Sequence, residues 1–124
     1  MTDTTVNPYP TTPATVAAAI LDAIERHPDA LDMGNWAHIP AGDLKPDDEI
    51  QCGTTMCIAG WAAHLTGYTL HCYGDNDVEA VKDGVAYPVE EAATQALGLT
   101  LDANGMFWLH AQDALAELRR IAGR

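Results

Sequence analysis

Aromatic residues are scarce in this chain, at 6% of 124 positions with a single phenylalanine, although 48% of the residues are hydrophobic. Alanine and the aliphatics must therefore supply the core, which favours closely packed helices over a thick aromatic interior. Lysine is scarcer still, with only Lys45 and Lys82, and 18 acidic residues bring the formal net charge to −12. Such a surface repels nucleic acid and anionic lipid at long range, so no direct contact with nucleic acid or membrane is expected. The carboxylates are scattered rather than set in rows, as mimicry of DNA would need. The densest cluster, Asp47, Asp48 and Glu49, falls in an expected loop. Solubility is the simplest reading of the charge.

No apolar run approaches the roughly 20 residues of a membrane-spanning helix. The first residues lack the basic region and apolar core of a signal peptide. The expected compartment is the cytoplasm, where thiols stay reduced, and an odd number of cysteines, three, does not suit a disulfide framework. The length fits one domain. The chain has no glycine-rich phosphate loop, no Gly-x-Ser-x-Gly and no His-Glu-x-x-His, so no cofactor is expected.

The fold expected from the periodicities is mainly α, a compact bundle of about four to five short helices with a small β-hairpin. Residues 1–13 are polar and carry three prolines, so they read as a flexible arm, with residues 14–124 as a single helical domain. Thr12 and Pro13 suit the start of a helix over 15–27, where Val16, Ile20 and Ile24 share a face; Pro28 ends it. Residues 31–39 suit one short helical turn, and 40–50 a polar loop. A central buried helix is expected over 55–66, with Thr54 or Thr55 as its cap, Ile58, Trp61, Ala62 and Leu65 on one face and Gly67 as its stop. Gly60 in its middle costs about 1 kcal/mol against alanine, which points to close approach of another backbone. Residues 68–73, 78–81 and 85–87 favour strands, the last two joined by Asp83-Gly84. Helices are further expected from Pro88 to a stop at Gly98, over 101–109 behind Thr100, and from an Asp113 cap through Leu115, Leu118 and Ile121.

Two constellations could carry chemistry. For a metal, the donors are Cys52, Cys57, Cys72 and His27. The C-x4-C spacing is wide for structural zinc. Cys57 and His64 sit seven apart on one helix, about 10 Å along its axis, too far to share an ion. Adjacent His71 and Cys72 in a strand point to opposite sides. The plainer reading makes Cys57 and Cys72 small buried hydrophobes. For a hydrolase, the nucleophile would be Cys57, or Cys52, near a helix N-terminus that lowers thiol pKa, with His110 and Asp113 as base and orienter. Cys-Gly-x-x-Cys-x-Ala faintly resembles the nucleophile helix of papain-like peptidases, but the chain is much shorter and lacks their histidine-bearing strand. On this footing neither a catalytic residue nor a metal ligand is assigned.

The run from His27 to Trp36, His-Pro-Asp-Ala-Leu-Asp-Met-Gly-Asn-Trp, is followed by Cys-Gly-Thr-Thr-Met-Cys-Ile-Ala-Gly-Trp-Ala from Cys52 to Ala62. Together they resemble a family of small actinobacteriophage and bacterial proteins with an HPxxxDMGxW … CGTxxCxAGWA signature. The stretch 92–100, ending Leu-Gly-Leu-Thr, is similar too. Where that family carries a Leu-Phe pair, this chain has Phe107-Trp108, and Asn104-Gly105 departs from the helix formers expected there. The resemblance spans about residues 20–109. It implies a bacteriophage accessory protein in an actinobacterial host cytoplasm and implies no activity. Trp36, Gly53, Thr54, Gly60 and Trp61 then read as structural signature residues. The leading expectation is a non-enzymatic protein that binds a host or phage protein, with the acidic charge favouring a partner that bears a basic patch and a homodimer left open. A small zinc-binding domain and a cysteine-dependent hydrolase are the alternatives.

Overall fold

The computed structural model describes residues 9–34, 36–40, 42–50, 53–74, 77–99 and 109–124. Helix α1 (Pro13–Arg26) is capped by Thr12, whose side chain accepts from the Thr15 amide while the Thr15 hydroxyl accepts from the Thr12 amide. A 3-10 turn (Pro28–Ala30) follows, then three two-residue strands, β1 (Ala37–His38), β2 (Asp43–Leu44) and β3 (Thr55–Met56). Helix α2 (Ile58–Leu65) leads to β4 (Thr69–Gly74), β5 (Asp77–Lys82) and β6 (Val85–Pro88). Helices α3 (Val89–Leu97) and α4 (Ala111–Ala122) complete the described chain.

The fold is not mainly α. Of the described residues 46% are helical and 22% extended, in two antiparallel sheets, which makes it a mixed α and β architecture. One sheet pairs β1 with β3; the other has the order β2-β4-β5-β6. The expected hairpin is present as β5–β6, with Asp83 and Gly84 both at positive φ as a type I′ turn requires. It is only half of a larger sheet. The segment expected to form a helical turn near Trp36 instead supplies β1, and the expected polar loop supplies β2. Two-residue strands are too short to show a period of two, so their pairing partners, not local pattern, make them strands.

The four-stranded sheet has one packed and one open face. Leu44, Leu70 and Ala80 stand opposite one another across three strands and are buried. The alternate row is Asp43, His71, Glu79 and Pro88, none of them buried. Helices α2 and α3 pack together and cover the inner face, α1 packs on both, and α4 packs on α1. Every residue from Ile58 to His64 is buried, so α2 is packed on all sides. Its start lies later than the capping threonines imply: Thr55 belongs to β3, and Cys57 is the N-cap. Likewise the N-cap of α4 is His110, with Asp113 in the first turn rather than at the cap. The helix expected over 101–109 falls, except for Leu109, outside the described residues.

Candidate functional site

The two signature segments close on each other. The Asp32 amide donates to the Met56 carbonyl at 3.0 Å, the Cys57 amide to the Trp36 carbonyl at 3.4 Å, and Ala37 and His38 pair with Met56 and Thr55. Asp32 accepts from the Gly34 amide at 2.8 Å, turning the chain towards Trp36. A Cβ on Gly60 would stand 2.5 Å from the Trp36 carbonyl oxygen and 2.9 Å from the Met56 Cβ. Glycine there lets the Trp36 backbone lie directly on α2, at a distance no other residue allows. Trp61 is 1% exposed, with the His27 ring stacked on it at 6.4 Å and the His64 ring edge-on at 6.3 Å. Thr54 is buried and Gly53 exposed; both line a cleft of about 300 Å³ with Arg26, His27, Ile50 and Thr55.

The Cys57 thiol is 1% exposed and donates to the Trp36 carbonyl at 3.7 Å. Burial pushes its pKa up to about 11, against the pull of the Gly60 and Ala59 amides at the helix start. Desolvation thus outweighs the helix terminus expected to activate it. His110 and Asp113 lie exposed at the start of α4, a helix that packs on α1. Cys72 reaches across from β4 to the Ala37 carbonyl at 3.5 Å. Cys52 lies outside the described residues. Among the described residues no group of three or more His, Cys, Asp and Glu side chains is placed to hold a metal ion. His64 is 5% exposed, its Nδ1 has no hydrogen-bond partner among the described residues, and burial lowers its pKa, with Asp48 opposing.

The exposed chemistry lies elsewhere, on the outer face of the four-stranded sheet. Asp43 Oδ1 and His71 Nδ1 are 2.5 Å apart on paired strands. The His71 ring stacks on Tyr73 at 6.2 Å, and Tyr73 is 64% exposed. Glu79, the cross-strand partner of His71, hydrogen-bonds the Tyr73 hydroxyl and, with burial and the Glu79, Asp43 and Asp77 charges, raises its pKa. The residues that contribute come from the expected polar loop over 40–50 and from the strands expected over 68–73 and 78–81; β2–β4 pairing makes them one surface. No helix among the described residues is long and apolar enough to cross a membrane. Comparison with protein-family models, curated proteins and solved structures gave no match.

Proposed function

We propose that the chain is a non-enzymatic accessory protein of a bacteriophage, acting in the host cytoplasm by binding a host or phage protein that carries a basic patch. The observation that carries the binding reading is the open sheet face, where Asp43 of one exposed segment and His71, Tyr73 and Glu79 of the other stand side by side. Recognition residues on a rigid scaffold are the common arrangement for a binding module. The phage setting rests on the two signature segments alone. Cys57, the nucleophile of the hydrolase alternative, is committed to the packing of α2 against Trp36, so no observation favours that reading over binding.

The net charge of −12 speeds encounter with a basic partner more than it tightens the final complex. Association should therefore slow as salt rises, with dissociation little changed. Charge reversal at Asp47 and Asp48, exposed beside β2, should slow capture without unfolding the domain, which a thermal melt checks. A partner whose association rate ignores both salt and these substitutions would refute electrostatic recruitment.

A further inference from the structure

The open sheet face also indicates what part of a partner it receives, an inference that rests on the binding reading above. Tyr73 and His71 form a stacked aromatic pair on β4, and Asp43 on β2 with Asp77 and Glu79 on β5 flank it on either side. Adjacent strands lie about 4.8 Å apart, so the carboxylates border the rings within about 10 Å. Among the described residues no Lys or Arg forms an ion pair with any of the three; the ion pairs join Asp43 to His71, Glu117 to Arg120 and Asp22 to Arg124. At the opposite end of the β4–β5 pair the chain itself sets a cation beside a ring: Lys82 Nζ sits 5.0 Å from the Tyr68 centroid.

We propose that this face receives an arginine side chain of a basic partner segment, its guanidinium stacked on Tyr73 and paired with Glu79 and Asp77. The occupant follows from charge complementarity and shape. A negatively charged, solvent-facing surface selects a cation, and an exposed aromatic face selects one that is flat and weakly hydrated. The guanidinium is both, and its forked donors can reach carboxylates on either side while the plane lies on the ring. A lysine ammonium supplies the charge without the plane. Glu79, which hydrogen-bonds the Tyr73 hydroxyl, sets its carboxylate beside the ring.

The test titrates the isotope-labelled full chain with a blocked glycine-arginine peptide at low salt, following backbone amide shifts. Matched peptides carry citrulline or lysine in place of arginine. The expected shifts centre on residues 71–73 and 77–79, vanish with citrulline, and are weaker with lysine. Tyr73→Ala should weaken binding about fivefold, the scale of an exposed cation–π contact. Glu79→Gln, which keeps the side chain's size, should weaken it as well, and unchanged amide shifts elsewhere in either variant confirm the fold. Shifts spread over the whole acidic surface, indifference to Tyr73→Ala, or equal binding of the lysine peptide would overturn the proposal. If the peptide does not bind while reversal at Asp47 and Asp48 still slows capture of a partner, the arginine receptor falls and the binding reading stands.

Discussion

Gly60 is the residue on which the two signature segments depend most directly. Helix propensity favours alanine there by about 1 kcal/mol. The Trp36 carbonyl, 2.5 Å from where the Cβ would be, is backbone and cannot rotate away. Gly60→Ala should therefore destabilise the protein by about 1–3 kcal/mol, the usual cost of overpacking. Urea denaturation measures it, and a stabilised variant would mean the helix and Trp36 can separate freely. Cys57 gives a second test. With its pKa near 11 and the thiol 1% exposed, the reactive thiolate is scarce and shielded. Alkylation of the folded protein near pH 8 should leave Cys57 unmodified by mass spectrometry, and unfolding in urea should release it. Rapid native labelling would place the thiol in reach of a substrate and revive the hydrolase reading.

His64 links a residue to the pH behaviour of the whole domain. Its folded pKa lies below the ordinary 6.5 because burial disfavours the charged ring. Between those two values the unfolded chain binds more protons than the folded one, so stability falls as pH falls through 6.5 and levels off below the folded value. Urea midpoints at about pH 7.5 and about pH 5.5 should show a drop that is smaller in His64→Gln, the carboxylates being common to both proteins. An equal drop in the variant would mean that His64 is not held neutral by the fold.

At the scale of elements, legibility followed length and capping. Helix α1 shows a four-residue repeat bounded by Thr12-Pro13 and Pro28, and α3 is bounded by Pro88 and Gly98; both are readable because the start, the period and the stop agree. The β5–β6 turn was readable from Asp83-Gly84 alone. What was not readable was pairing between distant segments. Asp43-Leu44 becomes a strand because β4 offers a partner, and Ala37-His38 because β3 does. That long-range pairing turned an expected helical bundle into a mixed fold. It also moved the start of α2 from Thr55 to Ile58. The candidate site was hidden for the same reason: His71 and Glu79 are neighbours only in the register of β4 and β5. Trp61, by contrast, was placed by helical spacing, and it lies at the centre of α2. Trp61→Ala should cost about 3–5 kcal/mol in chemical denaturation. A loss under 1 kcal/mol would mean that the stack with His27 and His64 does not hold the core together.

For the whole molecule, packing and exposure divide the chemistry. The cysteine-bearing signature is spent on joining α2 to the Trp36 segment, whereas the acidic, aromatic sheet face is left to solvent. Capture of a partner from an actinobacterial lysate, quantified for three proteins side by side, tests that division most directly. The three are the native chain, the sheet-face double variant Tyr73→Ala with Glu79→Lys, and Cys57→Ser, each with a thermal melt to confirm folding. The account predicts that the native chain and Cys57→Ser retain the same captured protein and that the sheet-face variant loses it while melting as a folded domain. Capture retained by the sheet-face variant and lost by a folded Cys57→Ser would contradict it.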